Sequence, residues 1–158
     1  MVYIRKSYIL TTEILIHKPR KELFLFFGDA GNLQRLTPPW LDFKILSSLP
    51  ITMKQGTIIV YQLRLGRIPI TWQTEIRVWD PPFRFIDRQL KGPYLSWIHE
   101  HRMEENGRNT LMTDHVEYQI PGLVLGATLH ALVIKHQLKK IFTYRQQVIQ
   151  NIFNQNNR

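Results

Sequence analysis

Two histidines spaced i, i+2, His99 and His101, share a segment with Asp114, and Asp87 stands a little upstream. A carboxylate beside a buried imidazole orients the ring and favours its charged form, which poises it for proton transfer. The same groups can hold a metal, since imidazole and carboxylate suit zinc or iron. They can also simply satisfy one another, because a buried polar group demands a partner. Two histidines alternating on a strand do not define a metal site by themselves, and no metal or cofactor is assigned. No nucleophile elbow, glycine-rich phosphate loop or dinucleotide fingerprint occurs in the sequence. His99 with Asp114 or Asp87 is thus the candidate acid–base set.

What must position these groups is a β-hairpin across residues 93–118. Asn106-Gly107 between alternating residues is the signature of a tight turn, which in its type I′ form needs φ > 0 twice. A loop of Asn106 and Gly107 sets Glu105 against Arg108, His101 against Met112, His99 against Asp114 and Trp97 against Val116. Alternation then places Trp97, His99, His101, Met112, Asp114, Val116 and Tyr118 on one face. Glu100, Arg102, Glu104, Arg108 and Glu117 take the other, wet face. Two histidines and an aspartate on an otherwise apolar face mark that face as the functional one.

Upstream, residues 3–17 read as a first strand. Pro19 and the apolar run after it predict a short helix closed by Gly28, and residues 32–36 a second one stopped by Thr37-Pro38-Pro39. From Gly56 the pattern alternates, with Ile59, Tyr61, Leu63 and Leu65 on one face of a strand. Ile70, Trp72, Thr74, Ile76 and Val78 do the same on the next. A third strand puts Phe85, Asp87 and Gln89 inward, and residues 91–93 turn the chain into the hairpin. Over residues 123–153, which lack proline, Ala127, Ala131, Ile134, Leu138, Ile141, Val148 and Ile152 recur at helical spacing, and Leu125, Leu129, Leu132, Phe142 and Ile149 widen the stripe. That predicts one amphipathic helix of about eight turns. The layout is α+β: a curved antiparallel sheet of six to seven strands wrapped round a long C-terminal helix, with two short helices after the first strand. A single domain over residues 1–158 suits that length and the 44% hydrophobic content.

The chain has no cysteine, so disulfides and thiolate chemistry are excluded. It shows neither a leader-like apolar stretch nor a run of about 20 apolar residues that spans a bilayer, so a soluble, cytoplasmic protein is expected. The net charge is +9, and no acidic residue follows Glu117. The cations there read as a solvated helix face, or as a peripheral contact with an anionic membrane or an acidic protein. No four of them are adjacent, and no nucleic-acid partner is expected.

The segments L-T-P-P-W-L-D-F at 36–43, W-Q-T-E-I-R-V-W-D-P-P-F-R-F at 72–85, G-P-Y-L-S-W-I-H-E-H at 92–101 and D-H-V-E-Y-Q-I-P at 114–121 carry a resemblance. They resemble the START-related, birch-pollen-allergen-like superfamily of helix-grip domains (SRPBCC). Within it, they are most similar to a bacterial branch described as polyketide cyclase-like or coenzyme Q-binding-like. The resemblance implies a helix-grip fold holding a small hydrophobic molecule (a lipid, isoprenoid quinone or polyketide-like compound) between sheet and helix. The fold hosts carriers, cyclases, hydrolases and sensors, so the chemistry stays open between binding and catalysis. A mainly apolar space with a few polar groups is the usual form of such a site. Tyr61, Trp72, Thr74, Ile76, Phe85 and Gln89 are expected to line it from the first strands. Trp97, His101 and Tyr118 join from the hairpin, around His99, Asp114 and Asp87, and Ile134, Leu138 and Ile141 from the helix. Tyr144-Arg145 reads as an amphipathic pair reaching the rim, or as a cavity hydroxyl with a guanidinium. His17, His115, His130 and His136 have no partner pattern in the sequence.

Overall fold

The computed structural model describes residues 6–122, 128 and 130–154. The alternating segments form one seven-stranded antiparallel sheet of order β1-β7-β6-β5-β4-β3-β2. β1 (Tyr8–Ile16) leads into α1 (Arg20–Phe27), whose entry is set by Pro19 and whose end is set by Gly28. A 3₁₀ turn (Ala30–Asn32), α2 (Leu33–Leu36) and a second 3₁₀ turn (Pro39–Leu41) carry the chain across to the edge strand β2 (Lys44–Ile45). β3 (Ile58–Leu65), β4 (Ile68–Asp80), β5 (Arg84–Lys91), β6 (Ser96–Asn106) and β7 (Asn109–Gln119) then run back as a meander to β1. A π-helical turn (His130–Ile134) precedes α3 (Lys135–Phe153). Of the long helix expected from residue 123, residues 123–127 and 129 lie outside the described residues.

α3 buries Leu138, Phe142, Ile149 and Phe153 against the sheet, a stripe at helical spacing. Leu132 does not belong to that stripe. It lies inside the π turn and is 73% exposed. Two larger apolar cores result, beside a small cluster of Ala30, Ile59 and Ile76. One packs α1 and the end of α3 against Ile14, Ile16, Met103 and Met112; the other gathers Trp72, Trp97, Val116, Tyr118, Leu138 and Phe142. Among the described residues no helix is long and apolar enough to cross a membrane.

The hairpin register differs from the sequence expectation by two residues. Asn106 pairs with Asn109, so the loop is Gly107-Arg108, and only Gly107 takes positive φ, at 63°. A two-residue turn with glycine first matches the type II′ form, which needs φ > 0 once rather than twice. His101 therefore faces Asp114, Trp97 faces Tyr118, and His99 faces Val116. A slip of two leaves every side chain on the face it was assigned, since the strand period is two. A second correction concerns Val78. Ile76 pairs with Asp87 but Val78 with Ile86, so Arg77 is an extra residue, a β-bulge. Beyond it the phase inverts, and Trp79 rather than Val78 turns inward, against Phe24 and Phe85.

Candidate functional site

Between the concave sheet face, α2 and α3 lies a cavity of about 200 Å³ with a mainly apolar wall. β3 and β4 contribute Tyr61, Trp72, Thr74 and Ile76, β5 and β6 contribute Phe85, Asp87, Trp97, His99 and His101, and α3 contributes Leu138 and Ile141. Four expected wall residues fall elsewhere: Asp114, described below, and Gln89, Tyr118 and Ile134. Gln89 spends its amide on the β5–β6 loop, donating from Nε2 to the Tyr94 carbonyl at 2.7 Å and accepting from the Tyr94 N–H at 3.3 Å. Tyr118 packs in the second core and directs its hydroxyl at His130. Ile134, in the π turn, packs beside that core without reaching the wall.

The polar corner spans three neighbouring strands. Register pairs Asp87 with His99 and His101 with Asp114, while the i, i+2 spacing stacks the two imidazoles, centroids 3.8 Å apart. His99 Nε2 and His101 Nδ1 each lie 2.9 Å from the same Asp114 Oδ1. On the cavity side His101 Nε2 is 3.0 Å and His99 Nδ1 3.9 Å from Asp87 Oδ2. Asp114 itself is 3% exposed and is not part of the wall; it sits behind the histidines. Its second oxygen, Oδ2, lies 3.4 Å from Arg145 Nε. The guanidinium thus turns inward, passing over the Phe27 ring, instead of reaching the rim. Tyr144 packs against Trp40.

Burial by itself raises an acid's pKa and lowers that of a base. At Asp114 burial is outweighed by the Arg145 charge and by the bonds to His101 and His99, which hold the carboxyl well below its usual range. At His99 burial wins, helped by the charge of His101, and the ring is pushed below its ordinary value. At His101 burial also opposes charge, but bonds to Asp114 and Asp87 overcome it and raise the ring. Of the two imidazoles, His101 is the one that keeps its proton to higher pH. Such an arrangement can orient a ligand oxygen, move a proton, or hold a cation.

Two features escape sequence reasoning. One is the pairing of Arg145 with Asp114: a cavity guanidinium was one of the two expectations for residue 145, but no local spacing links it to residue 114. In the other, His130 Nε2 shares a hydrogen bond of 2.7 Å with the Tyr118 hydroxyl, and its ring stacks on Tyr8, with ring centroids 3.5 Å apart. Tyr8 lies far away in the chain on β1, whereas Tyr118 is on β7, the element just before the π turn. One further polar group stands out in the wall: the Trp72 indole N–H is buried and has no hydrogen-bond partner among the described residues.

No protein-family model and no curated protein matches the sequence. Solved structures do match its shape. A major latex-like protein from Panax ginseng superposes with a TM-score of 0.68 at 12% identity, covering 93% of this chain and 97% of that one. Norcoclaurine synthase from Thalictrum flavum, in complex with dopamine and hydroxybenzaldehyde, gives 0.67 at 11%, covering 94% and 87%. The Zhui aromatase/cyclase from Streptomyces sp. R1128 gives 0.65 at 13%, covering 93% and 96%. At such identities the likeness speaks for the fold alone. The seven-stranded sheet, the short helices after β1 and the closing α3 give this chain a helix-grip fold, the shape it shares with these structures.

Proposed function

We propose that this protein binds a compact, mainly apolar molecule carrying an oxygen, held between the sheet and α3. The observation that carries this reading is the apolar cavity with the unpartnered Trp72 N–H and the imidazole–carboxylate corner in its wall. A buried donor without an acceptor is costly by about 1–3 kcal/mol, and a ligand carbonyl or hydroxyl relieves it. Size narrows the choice. An apolar cavity of about 150 Å³ takes up benzene, so about 200 Å³ suits one or two rings rather than a whole acyl or isoprenoid chain. A polyketide-like molecule or a quinone head group fits that description. The fold neighbour solved with dopamine and hydroxybenzaldehyde, two single-ring molecules, supports the same size class. Native mass spectrometry of protein purified from its own cells should show a co-purifying small molecule, lost in Trp72→Phe. A cavity that holds only water in such a preparation overturns the proposal.

A second reading has its own support. His99 stands in the cavity wall 2.9 Å from Asp114, with Asp87 beside it, so a bound molecule meets an oriented imidazole. In this reading the protein is a cyclase, dehydratase or hydrolase that uses His99 with Asp114 or Asp87 as acid and base. His99→Ala should then abolish turnover of a screened substrate while the folded spectrum is retained. Turnover that persists in the variant removes the reading.

A further inference from the structure

We propose that Asp87, His99 and His101 form a binding site for one divalent transition-metal ion at the cavity wall, with Asp114 as the common support of both imidazoles. One ligand atom from each of the three lies within 4.8 Å of the other two. Two of those separations are 3.0 Å, His101 Nε2 to Asp87 Oδ2, and 3.9 Å, His99 Nδ1 to Asp87 Oδ2. Ligands about 2.1 Å from a common ion are about 3.0–3.4 Å apart at octahedral or tetrahedral angles. The first pair already meets that spacing, the second closes to it by about 0.5 Å, and the two histidine nitrogens, within 4.8 Å of each other, close onto the ion with it.

The remaining nitrogens give independent support. A metal-bound histidine almost always gives its other ring nitrogen to a carboxylate or carbonyl, which fixes the tautomer and the ring plane. Here His99 Nε2 and His101 Nδ1 both lie 2.9 Å from Asp114 Oδ1, and Arg145 anchors the far oxygen of that carboxylate. A mutual hydrogen-bond network needs no such division, with every inner nitrogen on one buried aspartate and every cavity-side nitrogen near another. Two imidazoles and one carboxylate on one side leave the positions toward the cavity open. That donor set suits zinc or iron(II). The ion would sit between His101 Nε2 and Asp87 Oδ2, so its binding replaces the direct contact that these atoms make at 3.0 Å. Metal binding there does not depend on which organic molecule fills the cavity.

The test uses the full chain, stripped with chelator and titrated with Co²⁺ alone. One equivalent should bind and give ligand-field absorption bands. Affinity should fall at least tenfold in His99→Ala, His101→Ala and Asp87→Asn, and about 10–100-fold in Asp114→Asn. His115→Ala and His136→Ala should bind as the parent does. Because a corner variant can fail to fold, the parent protein carries a second readout. Bound Zn²⁺, which is diamagnetic, should shift the ring resonances of His99 and His101 far more than those of His115 and His136. Absence of a stoichiometric Co²⁺ site, survival of binding in the His99→Ala/His101→Ala pair, or unshifted His99 and His101 resonances each overturns the inference.

Discussion

Asp114 has three cationic or protonatable partners on two oxygens: His99 and His101 on Oδ1, Arg145 on Oδ2. A carboxylate 3% exposed is stable only because those partners replace the water it has lost. Removing it strands Arg145 in a buried place and takes from His101 one of its two carboxylate neighbours. Asp114→Ala should therefore cost about 3–5 kcal/mol, the range for breaking a buried charge pair on one side, read as a lowered urea midpoint. The residue types of this corner were legible in the sequence, because His99, His101, Asp87 and Asp114 all fall at inward positions of alternating strands. The pairing of Arg145 with Asp114 was not. A long side chain on an amphipathic helix reaches either solvent or core, and only the position of Asp114 across the cavity decides between them.

At the scale of elements, the strands were readable because period two is a strong signal, and the hairpin's faces held although its register moved. Asn-Gly suggests a turn with positive φ at both loop residues; the chain places glycine first in the loop instead, at Gly107-Arg108. The Arg77 bulge and the π turn were illegible for a shared reason. Each inserts a residue that no local propensity requires, and each shifts the phase between the residues on its two sides. Gly107 offers a direct check on the turn. A Cβ there meets nothing within 4 Å, so the cost of Gly107→Ala is purely that of holding φ at 63°. A loss of about 1 kcal/mol is expected in chemical denaturation. The contact between β7 and the π turn makes a prediction of a different kind. Burial, with Lys135 and Lys6 nearby, holds His130 below its ordinary value, so the unfolded chain takes up this proton at higher pH than the folded one. The resulting stability is present above about pH 6.5 and is lost as pH falls through the folded value. His130→Gln removes that dependence. Its stability deficit relative to the parent should shrink between about pH 7.5 and pH 5, with the other five histidines common to both proteins.

Across the whole molecule the packing is uneven, and that unevenness ties stability to binding. The end of the sheet near the hairpin loop is filled by α1 and the last turns of α3, where Ile149 is fully buried among Ile16, Leu23, Met103 and Met112. Three turns earlier on the same helix, Leu138 is nearly as buried at 5% exposed, yet it faces the cavity. Burial from water is therefore similar at the two sites, but only Leu138 borders the cavity. Truncation in a close-packed core costs the transfer energy plus that of the new void, about 2–5 kcal/mol for Ile or Leu to Ala. A side chain already bordering empty space forfeits fewer dispersion contacts when it is cut back. Ile149→Ala should accordingly fall in the upper half of that range and Leu138→Ala in the lower half, measured by urea unfolding of both variants. The same variants should divide the other way in binding. Leu138→Ala enlarges the cavity and should change the affinity for a single-ring probe such as hydroxybenzaldehyde, whereas Ile149→Ala should leave it close to that of the parent. Equal stability losses together with equal affinities would mean that the space beside Leu138 is closed in solution, and the binding proposal would lose its footing.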